Sequence, residues 1–384
     1  MRICVLYDCL FPNTVGGGER WYRNLAERLA AEGHEVTYAT MRQWPRGERP
    51  NVAGVRVVAI GPRMGLYTES GRRRITQALC FGCAALWHLV RHGRRYDVVH
   101  TSSFPYFSLL AAALVRPFGG YALIVDWLEV WSNEYWRSYL GAAGWIGIAV
   151  QHRCARLRQT AFCLSELHAT RLRQEGVRGE VTVLRGLLTG EVEAQEPLAG
   201  EPLVVFAGRL IREKNAPNVV AAVDLAADHV PGLTGVIFGD GPERGAVLAA
   251  IASLEQPDRV SAPGFVDSAR VRETIRRACC LLLPSRREGY GLVVVEASAA
   301  GTPSILVRGP DNAAVELVDE GVNGLVVASA EPAVLADAIV AVVAGGPALR
   351  ASTSEWFARN ADRLSIERSL EQVLASYESA SARA

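Results

Sequence analysis

The feature that most constrains the fold of this chain is a β–α alternation that runs, stops and then starts again. In the first half, short apolar runs that are typical of strands alternate with segments of helical period. Strands are predicted at residues 3–7, 34–39, 55–60, 98–100 and 123–126, and helices at residues 19–31 and 76–90. Because parallel strands need a crossover element between them, this alternation predicts a parallel sheet covered by helices.

The alternation is interrupted by a polar, acidic stretch from Gly190 to Glu201 that has no periodicity and is typical of a linker. Beyond it, strands are predicted at residues 203–207, 235–238, 281–284, 304–307 and 325–327. A length of 384 residues exceeds what one core usually supports. We therefore predict an α/β fold of two Rossmann-like, doubly wound domains facing a central cleft. They span residues 1–190 and 191–364, and a C-terminal helix, about residues 365–384, is expected to cap the outside or pack back on the first domain.

Composition excludes several classes of protein. The net charge is +1, without the basic field that nucleic acid requires, so we expect no nucleic-acid partner. The longest apolar run of helical character, Cys80–Val90, is too short to span a bilayer. The N-terminus lacks the regions of a signal peptide, and we expect a cytoplasmic protein. Cys80 and Cys83 have metal-like spacing but no second pair, so we interpret both as small core residues of a helix and predict no metal.

The lysine usage of the chain draws attention to one loop. Of 41 basic residues, Lys214 is the single lysine, and it follows Arg209 in the loop after the strand at residues 203–207. In doubly wound sheets this edge binds ligands, and a planar and a point-like cation together suit a diphosphate. Two solvated loop cations are the alternative interpretation, but the position of the only lysine favours a functional one.

A second motif follows the predicted strand at residues 281–284. Glycines 289 and 291, with Tyr290 between them, open a loop before a helix that begins near Leu292, and the exposed amides of such a helix start form an anion site. Glu288 precedes this helix and Glu296 lies inside it. Eight residues of helix rise about 12 Å, so the two carboxylates cannot address one atom. That gap resembles the span from the ribose of a nucleotide to the sugar on its far phosphate, and we therefore assign Glu296 to ribose hydroxyls and Glu288 to the transferring sugar.

Further residues at strand ends complete the predicted binding site for the nucleotide and its sugar. Gly239 lies in a tight turn after a strand, and Phe265 and Val266 lie at another strand end, where their backbone could bind a base. Gly17 and Gly18 allow close approach of a ligand but form no dinucleotide fingerprint, because Trp21 stands where the third glycine would be. The sequence also lacks a P-loop, a zinc-protease motif and an Asp-x-Asp pair. These absences argue against dehydrogenases, P-loop NTPases, zinc proteases and metal-dependent glycosyl transfer.

Aromatic residues alternate with carboxylates after the strand at residues 123–126, as sugar-binding surfaces often show. The candidate acceptor residues are Asp126, Trp127, Glu129 and Trp131. Buried tryptophans with satisfied N–H groups are an equally good interpretation. Arginines at residues 72–74 and 91–95 bracket the apolar helix, where they could touch anionic lipid headgroups or form a solvated rim.

These motifs, taken in order, resemble the retaining glycosyltransferases of family 4. The resemblance rests on Gly-Gly-x-Glu-Arg at 16–20, Gly-His-Glu-Val at 33–36, Gly-Arg-x(4)-Lys at 208–214, Gly-Asp-Gly-Pro at 239–242 and Glu-x(7)-Glu at 288–296. It implies a GT-B fold, a nucleotide-diphosphate sugar donor such as a UDP- or GDP-sugar, and neither cofactor nor metal. It also implies that Arg209 and Lys214 hold the diphosphate, Glu296 the ribose, and Glu288 the sugar near its anomeric carbon.

One position departs from the family pattern. Many members carry a histidine that contacts the donor sugar in a Trp-His-Glu-Val-Trp-like run, and here that position is Leu128. Leucine can form no side-chain hydrogen bond, and our hypothesis is a donor without a polar group there, such as a 6-deoxy sugar or a pentose.

The resemblance predicts transfer of a sugar to a hydroxyl of a glycan, a lipid-linked intermediate or a small molecule. Peripheral contact with the inner face of the plasma membrane is one arrangement that would suit such an acceptor. A glycosyl phosphorylase of the same fold and a non-catalytic nucleotide-sugar-binding subunit are the alternatives.

Overall fold

The structure, a computed structural model, describes residues 1–14, 16–48, 50–68, 73–189 and 200–381. The predicted linker lies outside the described residues except for its last two. The described chain divides into two compact units. One contains the chain up to Leu187 together with the last helix, and the other runs from Leu188 to Ser365. Each unit is built on its own parallel sheet, which confirms the predicted α/β class.

The first unit contains a seven-stranded parallel sheet of order β3-β2-β1-β4-β5-β6-β7. Its strands are β1 Arg2–Leu6, β2 Glu35–Met41, β3 Val55–Gly61, β4 Val98–Ser102, β5 Ala122–Trp127, β6 Thr160–Cys163 and β7 Val181–Val183. Its first six helices are α1 Gly17–Ala31, α2 Ile75–His92, α3 Phe107–Gly119, α4 Asn133–Leu140, α5 Gly144–Ala155 and α6 Glu166–Gln174.

The second unit contains a six-stranded parallel sheet of order β10-β9-β8-β11-β13-β15, beside a two-stranded pair, β12 and β14. Its strands are β8 Glu201–Ala207, β9 Thr234–Phe238, β10 Val260–Gly264, β11 Ala278–Leu283, β12 Arg287–Glu288, β13 Ser304–Val307, β14 Asp311–Asn312 and β15 Gly324–Val327. Its helices are α7 Ala216–Ala227, α8 Arg244–Ala252, α9 Ser268–Arg277, α10 Leu292–Ala299 and α11 Pro332–Leu364. The last helix, α12 Ile366–Ser381, belongs to the first unit.

The central strands of the first sheet, β1, β4 and β5, are buried on both faces, as in sheets that helices cover on both sides. Ile3 and Val5 of β1 point to one face, where they join a core that includes side chains of α1 and α12. Cys4 and Leu6 point to the other face, where they join a core that includes side chains of α2 and α3. Burying each such aliphatic side chain contributes about 1.5–3 kcal/mol. A ligand can therefore reach these central strands only at their ends.

Helix α11 is the longest apolar helix of the described chain, so the prediction that Cys80–Val90 is the longest apolar helical run was wrong. Its length and composition alone would suffice to cross a membrane, a test that core helices also pass. The helix bends at Gly346, and it buries Leu335, Ile339 and Val342 in the second unit. One side of the helix is therefore packed in the second unit.

The interpretation of Cys80 and Cys83 as core residues also needs correction. Both lie on α2, but Cys80 is only half-buried and Cys83 is exposed, because this side of α2 faces away from the sheet.

Candidate functional site

The carboxyl ends of β8, β9 and β10 carry loops that are bonded to one another. The amide of Gly208 donates to the carbonyl of Phe238 at 3.1 Å, and the amide of Gly239 donates to the carbonyl of Gly264 at 2.9 Å. The amide of Leu210 donates to the carbonyl of Asp240 at 2.9 Å. Three loops distant in sequence thus form one continuous edge, which is where this kind of sheet binds ligands.

Gly239 is required at this edge by its backbone conformation. Its φ of +128° lies in the left-handed region, and a β-carbon added there would lie 1.8 Å from the carbonyl oxygen of Gly208. No flexible side chain could move aside, because the obstacle is backbone. The predicted donor-binding glycine therefore also sets the distance between two loops.

We expect Gly239→Ala to lower the free energy of unfolding by about 1–3 kcal/mol from backbone strain, with the clash in addition. Gly245→Ala is the matched control, because Gly245 lies in α8 with open space around its β-carbon position. Thermal unfolding of both variants checks this. Equal melting temperatures of the two variants would contradict the conclusion that the backbone at position 239 requires glycine.

Lys214 and Glu288 lie in contact at this edge. The Lys214 ammonium donates to Glu288 Oε1, and the two side chains are 17% and 10% exposed. The pair is partly desolvated, so the interaction between the two charges is stronger than it would be on an open surface. Two of the residues predicted to be catalytic are thereby brought together from loops 74 residues apart in sequence.

The loop that carries Lys214 is fixed to the loop that carries Glu288 by further hydrogen bonds. Lys214 ends a short 3-10 turn, and Asn215 after it adopts a left-handed conformation with φ of 50°. Its side-chain amide donates to the carbonyl of Pro284 at 2.9 Å. The amide of Arg286 donates to the carbonyl of Glu213 at 2.8 Å. Both ends of the ion pair are therefore held by backbone contacts.

Asn312 is a supporting residue that sequence reasoning missed. It pairs with Glu288 in the β12–β14 ladder, and its side chain is buried. Its amide donates to the carbonyls of Ser285 and Val307 at 3.1 and 2.8 Å, and its oxygen accepts from the amide of Ala314 at 3.1 Å. The residues next to Asn312 in the sequence carry no signal of this role, because the role depends on the pairing of β12 with β14 in the fold.

Helix α10 begins where the sequence predicted. Gly291 is its N-cap with φ of +98°, and a β-carbon there would lie 2.6 Å from the Ala314 β-carbon. Glu288 precedes the helix and Glu296 lies inside it, half-buried. The first amides of α10 thus follow Glu288 directly, as an anion site at this point would require.

The remaining donor-site candidates lie on the same unit with different exposure. Arg209 and Phe265 are exposed, Tyr290 is buried, and Val266, Gly289 and Leu292 are half-buried.

Asp126 and Trp127 belong to the core of the first unit, which corrects their assignment as acceptor-facing residues. Asp126 Oδ2 accepts from Trp21 Nε1 at 2.7 Å, and its Oδ1 lies 2.8 Å from His100 Nε2. Trp127 is fully buried, and its Nε1 donates to Gln159 Oε1 at 2.8 Å. The alternative interpretation, buried aromatic residues with satisfied polar groups, applies to both.

Glu129 and Trp131 lie further out, at the carboxyl edge of the first sheet. Trp131 Nε1 donates to Glu129 Oε2 at 2.6 Å, and both residues are half-buried. The Trp131 ring lies 4.5 Å, centroid to centroid, from the buried Trp136 ring. Further out it packs against Phe104 at 5.2 Å, Tyr135 at 4.7 Å and Tyr139 at 5.1 Å. These four residues, Phe104, Trp131, Tyr135 and Tyr139, form an aromatic wall.

A buried polar cluster beside this wall was missed by the sequence analysis. Asp8 follows β1, and its carboxylate accepts from Arg73 and, at 3.0 Å, from the Gln77 side chain. The Arg73 guanidinium lies 5.7 Å from the Phe104 ring centroid. Among the described residues, Asp8 Oδ1 and Gln77 Oε1 are buried without a hydrogen-bond partner. Unpaired buried acceptors are costly, so this edge has capacity for a donor group.

The glycine-rich turn of the first unit lies against the position of the family histidine. Gly17 has open space around its β-carbon position, whereas a β-carbon on Gly18 would lie 2.8 Å from Tyr7 Oη and 3.2 Å from a Leu128 methyl group. Leu128 therefore packs on the turn at Gly18.

Within the part of the chain that the structure describes, no group of three or more His, Cys, Asp or Glu side chains could hold a metal ion. The residues at the edge of the second sheet instead bring cations and backbone amides together.

Comparison with known proteins assigns this arrangement to a class. Residues 16–186 match the family model described as glycosyl transferase 4-like domain, and residues 191–360 match the one described as glycosyl transferases group 1. The fold and these matches define a GT-B glycosyltransferase. The chain belongs to the family 4 type of that class, as its motifs predicted.

Relatives and solved structures agree with this assignment. The chain is 27% identical to glycogen synthase of Mycobacterium tuberculosis over 89% of this chain and 86% of that protein. Over 28% of each chain, it is 36% identical to 2-deoxystreptamine glucosyltransferase of Streptomyces kanamyceticus. Its fold matches sucrose-phosphate synthase from Thermosynechococcus elongatus with a TM-score of 0.80 at 20% identity, covering 100% of both chains. It also matches Anabaena HepE in complex with UDP-glucose with a TM-score of 0.74 at 16% identity, covering 99% of this chain and 100% of that chain.

Proposed function

We propose that this enzyme transfers a sugar from a nucleotide-diphosphate sugar to a hydroxyl acceptor, with retention at the anomeric carbon and without a metal ion. The observation that carries the proposal is the Lys214–Glu288 pair beside the N-terminus of α10. Together they supply a cation, a carboxylate and the N-terminal amides of a helix at the edge where a doubly wound sheet binds nucleotides. The UDP-glucose bound to HepE, which shares the fold, is consistent with such a donor.

In the proposed mechanism, negative charge grows on the leaving diphosphate as the glycosyl–phosphate bond loosens. Lys214, Arg209 and the first amides of α10 stabilise that charge, a role that fixed donors perform without reorganisation. Positive charge grows on the sugar near Glu288, whose carboxylate is held by Lys214. Glu296, inside α10, is left for the ribose hydroxyls.

The donor proposal is tested by incubating the enzyme with a panel of UDP-, GDP-, ADP- and dTDP-sugars and an acceptor panel. We expect release of a nucleoside diphosphate together with a glycosylated product whose anomeric configuration matches that of the donor. The panel includes each hexose beside its 6-deoxy analogue, because Leu128 can form no side-chain hydrogen bond. A strong preference for donors with a 6-hydroxyl would contradict the hypothesis that the donor sugar lacks a polar group near Leu128.

Two alternatives predict different results in the same assay. A phosphorylase of this fold would depend on inorganic phosphate. A non-catalytic binding subunit would bind the nucleotide sugar, seen as a rise in melting temperature, without forming product.

We propose that the acceptor binds at the carboxyl edge of the first sheet, against the aromatic wall and the Asp8 cluster. Aromatic rings stack on the apolar faces of sugars, and the unpaired Asp8 and Gln77 oxygens can accept from acceptor hydroxyls. Glycan, lipid-linked and small-molecule acceptors all carry such hydroxyls. This chemistry requires no nucleic-acid partner. We propose the cytoplasm as the location of the reaction.

We expect Trp131→Ala to raise the acceptor KM about two- to tenfold while leaving the donor KM unchanged, because loss of a stacking ring costs about 0.5–1.5 kcal/mol. Trp145→Ala is the control, since Trp145 is an exposed tryptophan of the same unit outside the aromatic wall. Initial rates at varied acceptor and at varied donor separate the two constants. An increase in the donor KM alone would contradict the assignment of Trp131 to the acceptor site.

A further inference from the structure

An exposed apolar surface lies at the C-terminal ends of α2 and α3. Trp87 and Val90 of α2 are 65% and 64% exposed, and Leu114 and Phe118 of α3 are 65% and 73% exposed. We call these four residues, Trp87, Val90, Leu114 and Phe118, the α2–α3 face. Large apolar side chains that remain clustered in water usually mark an interaction surface.

The two helices bring these residues together because they run side by side in the same direction. A β-carbon on Gly82 would lie 2.4 Å from the Phe107 β-carbon, near the start of α3. At the other end, the position on Gly93 lies 3.8 Å from Gly119. Both helices bury their opposite sides in the same core cluster, so their exposed sides point away from the sheet together.

Arginines surround the α2–α3 face. The Arg91 guanidinium lies over the Trp87 ring at 5.5 Å from its centroid, and Arg94 Nε donates to the carbonyl of Phe118 at 3.2 Å. Arg116 donates to the carbonyl of Arg158 at 2.6 Å. Within the described chain, none of Arg91, Arg94, Arg95 and Arg116 forms an ion pair.

Acidic residues do not neutralise this charge. From residue 75 to residue 125 the only acidic residue is Asp97, and it is paired with Arg2. Burial and then the neighbouring Arg158 lower the pKa of Arg116. Burial and then Arg95 and Arg91 lower the pKa of His92. The surface is therefore apolar at its centre and carries uncompensated positive charge around it.

We propose that the α2–α3 face docks on an anionic lipid bilayer, with its apolar residues in the headgroup region and its arginines on lipid phosphates. Exposed tryptophan with flanking arginine is the pattern of helices that lie in a membrane interface. A two-fold dimer through the same face would bring its arginines against their own copies, which unpaired like charges oppose. The proposal goes beyond sugar transfer and stands independently of the donor.

The structure also restricts which arginines take part. Arg74 is the N-cap of α2, and a helix of that length separates it from Arg91 by about 25 Å. Arg72 lies outside the described residues. The docking surface therefore involves the arginines at the C-terminal end of α2, not both groups that bracket the helix.

The test is co-sedimentation of the full chain with vesicles of phosphatidylcholine alone or mixed with phosphatidylglycerol. We expect binding to the mixed vesicles that weakens as salt rises, and little binding to phosphatidylcholine alone. Trp87→Ser/Phe118→Ser should lower binding at least tenfold. Arg91→Gln/Arg94→Gln should lower it about fivefold for each arginine removed.

Matched variants of the second unit control for general loss of apolar area or charge. Leu225→Ser/Leu248→Ser removes two exposed leucines, and Arg270→Gln/Arg272→Gln removes two exposed arginines. Both should bind vesicles as the unmodified chain does, and thermal unfolding verifies that all four variants fold. Equal binding to both kinds of vesicle, no binding, or a concentration-dependent dimer that Trp87→Ser/Phe118→Ser abolishes would each overturn the proposal.

Discussion

Lys214→Ala is expected to lower turnover by about 10²-fold or more, the usual loss when one fixed donor to a developing negative charge is removed. The variant loses the ammonium that contacts Glu288 as well as the proposed contact to the diphosphate. Arg209→Ala should act in the same direction through the diphosphate alone. The measurement is single-turnover release of nucleoside diphosphate at saturating donor, which separates the chemical step from binding.

Arg212→Ala is the matched control for this experiment. Arg212 lies in the same short 3-10 turn as Lys214 but is exposed. We expect near-normal turnover from it. Near-normal turnover of both Lys214→Ala and Arg209→Ala would remove the basis for the donor site.

A double-mutant cycle distinguishes the two roles of Lys214. If Lys214 acts mainly by holding Glu288, then Lys214→Ala/Glu288→Gln should be no slower than the slower single variant. If Lys214 also stabilises the leaving diphosphate, the double variant should be slower than either. In both cases the single substitutions are expected to be severe.

The second sheet was largely predictable from the sequence because its signals are local. Ser304–Val307 was predicted with the bounds that the structure gives, and the other strands predicted in this half lie within three residues of theirs at each end. Apolar runs, glycine turns and the start of α10 each depend on a few neighbouring residues. The family motifs lie at those same strand ends, so the sequence alone is sufficient to name the candidate residues there.

The errors fall where long-range contacts decide. The strands β6, Thr160–Cys163, β7, Val181–Val183, and β10, Val260–Gly264, were not predicted. Asp8, Arg73 and Gln77 form a cluster only because β1 and α2 are adjacent in the fold. Aromatic–acidic alternation suggested one surface around residues 126–131, but the strand end buries Asp126 and Trp127 and leaves Glu129 and Trp131 half-buried.

Asp126→Ala is expected to lower the free energy of unfolding of the first unit by about 3 kcal/mol or more. The carboxylate accepts from Trp21 Nε1 and contacts His100 Nε2, and it is buried with both. His100 Nδ1 in turn lies 2.5 Å from Tyr377 Oη, so the network joins α1, β4, β5 and α12. Each buried partner left unsatisfied costs about 1–3 kcal/mol. Urea unfolding followed by tryptophan fluorescence measures the change. The stabilities can be compared when the slope of the free energy of unfolding against urea concentration is the same for both proteins.

Asp97→Ala provides the matched control, since Asp97 is an aspartate of the same unit whose partner, Arg2, lies on the surface. Exposed pairs contribute little, so its unfolding midpoint should stay near that of the unmodified chain. If Asp126 instead bound an acceptor, Asp126→Ala would raise the acceptor KM and leave stability intact. A large loss of stability would show that this aspartate, at the carboxyl end of a strand like the site residues of the second sheet, holds four elements of its unit together.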